Sequence, residues 1–134
     1  MDFEIREYTH YDQSEILTLY SSVGWCAYTS APDVLERAFS KSLIALAAYS
    51  DNKLIGLIRA VGDGETIVFI QDLLVHPEYQ CKGVGRALLQ AILNRYEHVR
   101  QIQLTADNDP VIAAFYHSAG LRPLADLNCS AYSK

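Results

Sequence analysis

Little in this chain could serve as a covalent or metal staple. Three cysteines, at 26, 81 and 129, are odd in number and share no metal-type spacing. They read as free thiols of a reducing compartment and exclude a disulfide framework. The four histidines, at 10, 76, 98 and 117, form no HxH or HxxxH pair, so no metal is expected. Positive charge is also short, with 11 Lys and Arg against 16 Asp and Glu and a net charge of −5. A nucleic-acid partner needs a basic face and is therefore not expected. No apolar run approaches the ~20 residues that span a membrane, and no basic-then-apolar leader opens the chain. The expectation is a cytoplasmic protein without a membrane partner.

Half of the 134 residues are hydrophobic and a fifth are charged, and no linker or repeat interrupts them. One domain, residues 1–134, follows. A chain of this length buries roughly 68% of its unfolded surface, enough for an unstapled core.

The periodicity alternates between strand and helix. Asp2–Tyr8 reads as a strand, with Phe3 and Ile5 on one face. Thr9-x-x-Asp12 opens a helix carrying Ile16, Leu17, Leu19, Tyr20 and Val23, which Gly24 stops. Ser30-Ala31-Pro32-Asp33 opens a second helix. Leu43–Tyr49 and Lys53–Val61 form a hairpin about Ser50-Asp51-Asn52, and Thr66–Val75 is a long apolar strand expected near the sheet centre. A helix from Val84 to about Glu97, a strand at Gln101–Thr105 and a helix from Asn108-Asp109-Pro110 to Gly120 follow, and the tail has room for two short strands. The fold class is mixed α+β with a mostly antiparallel sheet, because hairpins rather than helices link its middle strands.

One segment carries chemistry. The strand ending at His76-Pro77 leads through a polar loop to Gly83-Val84-Gly85, which opens directly into a helix. Glycines let a ligand approach the main chain, and unpaired N–H groups at a helix start attract phosphate.

Residues 70 to 121 carry a resemblance to the GNAT superfamily of acyl-CoA-dependent N-acetyltransferases. Gln80-Cys81-Lys82-Gly83-Val84-Gly85 matches that family's Arg/Gln-x-x-Gly-x-Gly/Ala loop, and Asn108, Phe115-Tyr116 and Gly120 stand where its later helix begins, faces the thioester and ends. The chain looks most like small single-domain members similar to plastid arylalkylamine acetyltransferases. The resemblance implies a sheet splayed between strands 4 and 5, flanked by about four helices. It implies acetyl-CoA as cosubstrate, held by the main chain of Leu74 and Val75, by Gln80, by the amides from Lys82 through Gly83, Val84 and Gly85 to Arg86, and by Asn108 and Tyr116. It also leaves room for a homodimer.

The expected reaction passes the acetyl group directly to a primary amine of a small molecule in a ternary complex. An alkylamine titrating near ~10.4 is neutral in only about one molecule in 10³ at pH 7, a cost of roughly 4–5 kcal/mol, so a proton acceptor matters. Several family members place Glu or His where this chain has Gln71. Asp72 is the candidate base or amine anchor, provided a bulge re-aims it, and attack by an already neutral amine is the rival. Tyr116 is the candidate acid for the departing sulfur. Main-chain N–H groups near Leu74 would polarise the carbonyl. Trp25 and Tyr28, with Gln71, are the candidate acceptor contacts. A silent CoA-binding module and acetylation of a protein N-terminus or lysine are the alternatives.

Overall fold

The computed structural model describes residues 1–134 as a five-stranded sheet with helices on both faces. Strands follow chain order across it: β1 (Glu4–Glu7), β2 (Ile44–Ser50), β3 (Lys53–Gly62), β4 (Ile67–Val75) and β5 (Gln101–Leu104). The first four pair antiparallel, and β4 pairs β5 in parallel. Helices α1 (Gln13–Ser22), α2 (Cys26–Thr29) and α3 (Pro32–Ser40) precede β2; α4 (Val84–Arg95) and α5 (Pro110–Ser118) flank β5 in sequence.

Local chemistry accounts for most boundaries. Asp12 caps α1 by accepting from the Glu15 N–H, and Asp109 caps α5 by accepting from the Val111 N–H. Asp51 and Asn52 both adopt positive φ, the two-residue turn that matches the twist of a β2–β3 hairpin. Two expectations need correction. The junction after α1 coils into the short helix α2 instead of staying a loop. The tail forms no strand: Pro123 and the left-handed Asn128 bracket a single 3-10 turn, Leu124–Leu127.

Two cores sandwich the sheet. On one face Ile44, Ile58, Ala60, Val68 and Ile70 pack against Val84, Leu88, Leu89 and Ile92 of α4. Those four helical side chains are all at or below 1% exposure, each contributing roughly 1.5–3 kcal/mol by burial. A Cβ at Gly56 would stand 3.0 Å from Val84 Cγ1 and 3.2 Å from Leu88 Cδ1, so this glycine lets the start of α4 lie directly on β3. On the other face Ile16, Leu19, Tyr20 and Leu35 pack against Ala47, Leu54, Leu57 and Leu74.

Strand β4 changes faces partway. Ile70 pairs with Ala60 and Asp72 with Arg59, so Gln71 is an extra residue, a β-bulge. Val68 and Ile70 belong to the α4 core, whereas Leu74 belongs to the α1 core. Pairing with β5 stops at Ile70–Leu104, one residue before the bulge. Beyond it, β4 and β5 diverge.

Candidate active site

The divergence leaves a groove of about 690 Å³ between Gln71–Val75 of β4, the start of α4, Thr105–Asp107 after β5, and Val111, Ile112, Phe115 and Tyr116 of α5. Its wall is mostly apolar, and the end between β4 and α4 is lined by the polar Gln80, Cys81 and Arg86.

At that end the chain turns from β4 into α4. Cys81 and Gly83 both take left-handed φ, +61° and +86°, on either side of Lys82. Such alternation curls successive N–H groups into an anion-binding concavity. No hydrogen bond uses the main-chain N–H of any residue from Cys81 to Arg86; the first to be engaged is Ala87, which donates to Gly83 O at 3.0 Å. The positive end of the α4 dipole adds to them. Nothing lies within 4 Å of a Cβ built on Gly83, so its backbone angle, not crowding, demands glycine. A Cβ on Gly85 would instead sit 3.6 Å from Val75 Cγ2 and 3.7 Å from Phe115 Cζ, among groove-lining side chains.

Side chains brace this loop. Gln80 Nε2 donates to Val75 O at 2.9 Å, tying the loop back to β4. Arg86 donates through Nη1 to Ser118 Oγ at 2.8 Å and through Nη2 to Ser118 O at 3.2 Å, joining the start of α4 to the end of α5. Lys82 is exposed and does not line the groove. Nor does Asn108: the chain leaving β5 puts Thr105 to Asp107 along the wall, and Asn108 falls in the exposed turn before the α5 cap.

Strand alternation selects which β4 groups face the groove. The His76 N–H donates to Ile55 O at 2.8 Å, so in this antiparallel register the polar groups of Leu74 and Asp72 also turn toward β3. Those of Leu73 and Val75 point the other way, where β5 has ended. Leu74 therefore supplies wall surface, and the β4 main-chain groups turned toward the groove are those of Leu73 and Val75.

Tyr116 of α5 lines the groove half-buried, with no hydrogen-bond partner within the chain for its hydroxyl. Burial raises its phenol above the ordinary range, which keeps it protonated.

A second, open cavity of about 480 Å³ adjoins the groove, lined by Gly24, Trp25, Cys26, Ala27, Tyr28, Gln71 and Asp72. Trp25 and Gln71 line both cavities. The bulge does turn Asp72 toward α1, but into a buried network. Asp72 is 2% exposed; its Oδ2 accepts from Arg59 Nε at 2.7 Å and from Tyr20 at 2.9 Å, and its Oδ1 accepts from Tyr28 at 2.6 Å. A carboxylate so committed is poorly placed to take a proton from a ligand. Burial alone would pull the Arg59 guanidinium down; Asp72 opposite it more than reverses this, and the net shift is upward. Arg59, 4% exposed, went unnoticed in the sequence, yet it is the one charge in the apolar run Leu54–Val61, and a buried charge requires a partner.

This geometry coincides with a family-wide match. The acetyltransferase (GNAT) family model covers residues 6–121. The chain belongs to the GNAT family. A GNAT family acetyltransferase structure from Streptococcus pneumoniae TIGR4 superposes with a TM-score of 0.90 at 33% identity, over 99% of this chain and 97% of that one. The uncharacterised N-acetyltransferase ycf52 of Gracilaria tenuistipitata var. liui is 33% identical over 108 residues, 76% of this chain and 57% of that protein. The PaiA N-acetyltransferase of Thermoplasma acidophilum, solved in complex with coenzyme A, shares the fold with a TM-score of 0.71 at 19% identity, over 89% of each chain. Aligned to the first curated relatives it matches, this GNAT chain spans 57–62% of their length.

Proposed function

We propose that this GNAT domain is an acetyl-CoA-dependent N-acetyltransferase acting on a primary amine of a small molecule by direct transfer in a ternary complex. The observation that carries the reading is the row of unengaged amides from Cys81 to Arg86 at the polar end of an apolar groove. A diphosphate fits that row, and an extended apolar-polar arm fits the groove along β4.

When bound, acetyl-CoA supplies the activated acetyl group and a sulfur leaving group. The chain's own residues do the rest. The amides of residues 81–86 bind the diphosphate. Main-chain groups of Leu73 and Val75 orient the arm as an added strand would, and a neighbouring β4 N–H polarises the acetyl carbonyl. Tyr116 holds a proton at its hydroxyl in reach of the groove and delivers it to the departing sulfur. Trp25 and Gln71 form the common wall through which the adjacent cavity, of small-molecule size, opens onto the groove. Because Asp72 is occupied, the amine enters neutral or loses its proton to water.

Calorimetry with coenzyme A, followed by incubation with acetyl-CoA and an amine panel with thiol release as readout, tests the reading. Micromolar CoA binding and amine-dependent thiol release are expected. The commitment of Asp72 favours one second reading, a CoA-binding module without turnover. Tight CoA binding with no thiol release from any amine or lysine peptide would establish it.

A further inference from the structure

The second cavity has a built-in hydrogen-bond polarity, and it originates in the buried Arg59–Asp72 pair against which Tyr28 lies. Asp72 is a carboxylate facing a guanidinium, hence an acceptor only. Both phenols in contact with it must therefore donate, Tyr20 to Oδ2 at 2.9 Å and Tyr28 to Oδ1 at 2.6 Å. Tyr20 is fully buried, and its hydroxyl bonds only within this network. Tyr28 is half-buried, and it lines that cavity beside Gln71. Its single proton is spent inward, so its oxygen can only accept from the cavity side. The two donors near that oxygen, Gln71 Nε2 and Arg59 Nη2, each stand at 3.4 Å, long enough for a better donor to displace the exposed amide. Arg59 holds the arrangement in place, through Nε on Asp72, Nη1 on Ser42 Oγ at 3.2 Å and its guanidinium 5.9 Å over the Tyr28 ring.

We propose that Tyr28 is the residue that recognises the acceptor's N–H, with Arg59 and Asp72 as positioning residues that lock its hydroxyl into the accepting orientation. The proposal rests on the acetyltransferase reading for its acceptor class, a primary amine, but not for its test. The cavity rewards a group that donates a hydrogen bond and gives nothing to one that only accepts. Trp25, 6.1 Å from the Tyr28 ring, closes the same wall, so the donating nitrogen is brought beside the shared opening to the groove.

The experiment compares wild type, Tyr28→Phe and the double variant Arg59→Met/Asp72→Leu, which leaves the Tyr28 hydroxyl no carboxylate or amide acceptor, in the intact chain. Probes are 2-phenylethylamine, butylamine, spermidine and a lysine-bearing peptide, each titrated calorimetrically into CoA-loaded protein and assayed for thiol release. Tyr28→Phe is expected to weaken binding of the preferred amine and raise its KM about ten- to hundredfold, the loss of one hydrogen bond to a charged or polar donor, with kcat within about threefold and CoA affinity unchanged. The double variant removes the buried ion pair as a unit, which proteins often tolerate, and frees the Tyr28 proton. It should raise KM in the same way, and adding Tyr28→Phe to it should raise KM no further. A purely structural role would instead move CoA affinity and melting temperature together with KM. Amine affinity unchanged in Tyr28→Phe, or no binding of any probe to the wild type, overturns the proposal. Amine binding that depends on Tyr28 without thiol release leaves it standing and removes the acetyltransferase reading.

Discussion

Replacing Gly85 by alanine should move stability and cofactor affinity in opposite directions. Gly85 is the second residue of α4 and carries no positive φ, so alanine adopts its conformation without strain. The substitution lowers the entropy of the unfolded chain and suits a helix, a gain of about 0.4–1 kcal/mol. The new methyl meets Val75 Cγ2 at 3.6 Å and Phe115 Cζ at 3.7 Å, ordinary contacts that ask nothing to move. For a domain of this size the melting temperature should rise by roughly 1–4 °C. The same methyl, however, lies between two groove-lining side chains at the polar end, beside the free amides. Forcing a methyl into a filled site costs about 1–3 kcal/mol, which lowers CoA affinity about 5- to 150-fold. Thermal denaturation and calorimetry on the same preparations read the two effects, and Gly85→Val should enlarge the loss of affinity. Unaltered CoA affinity in a stabilised Gly85→Ala protein would refute the placement of the diphosphate. A fall in both quantities would show that the methyl disturbs the fold instead.

Three further outcomes follow from the same geometry. Tyr116→Phe should lower kcat about 10²-fold or more with CoA affinity intact, and because burial raises the wild-type phenol, the rate should climb with pH as the amine deprotonates and show no alkaline fall below pH about 10; a rate unchanged in Tyr116→Phe would remove the acid role. Arg59→Met alone should destabilise the chain by about 3–5 kcal/mol in denaturant titration, since it strands a carboxylate 2% exposed, and adding Asp72→Asn should recover much of this; independent, additive losses would contradict the coupling. Burial raises Tyr8, Tyr20, Tyr28 and Tyr49 above their unfolded value near 10, Tyr49 to about 12 with Glu15 adding to the effect. These protons are retained by the folded state and released on unfolding, so the stability they confer is complete below pH 10 and drains away as pH rises toward 12 and beyond; the tyrosinate absorbance of these four, out of nine tyrosines, should appear only together with unfolding, whereas ionisation of all nine near pH 10 in a folded chain would contradict this.

The parts legible in the sequence are those set by local chemistry. The Asp51-Asn52 turn, the caps at Asp12 and Asp109 and the glycine at 83 each answer a backbone requirement that neighbours in sequence state by themselves. The helical spacing of Val84, Leu88 and Ile92, all buried in α4, is legible for the same reason. Long-range pairing is not written locally. Asp72 looked like a free acid because its partners lie 13, 44 and 52 residues away, at Arg59, Tyr28 and Tyr20. The available signal was a single opposite charge in each of two apolar strands joined by one turn. Which of Leu73 and Leu74 turns its main chain away from β3 is not legible, because the hydrogen-bonding phase of a strand depends on its partner's register. The tail misled because its length leaves room for two short strands, while a strand requires an edge to join.

Gln71 connects these details into one device. One residue inserted into β4 has two consequences that would otherwise need separate causes. A bulge bends its strand and ends pairing, and here pairing with β5 ends at Ile70, just before it. The divergence that results is the groove. An inserted residue also reverses the alternation of every side chain after it. Without it, Asp72 would follow Val68 and Ile70 onto the α4 core, where no cation or hydroxyl of the network stands, at a cost no paired carboxylate incurs. With it, Asp72 meets Arg59, Tyr20 and Tyr28 on the α1 side, and Gln71 itself is left exposed on the wall shared by both cavities. The groove and the second cavity therefore meet at Gln71 because the same backbone irregularity made one and oriented the other. Their mutual position is a property of strand geometry, and Trp25 and Tyr28, at the cap and within α2, complete the wall beside it.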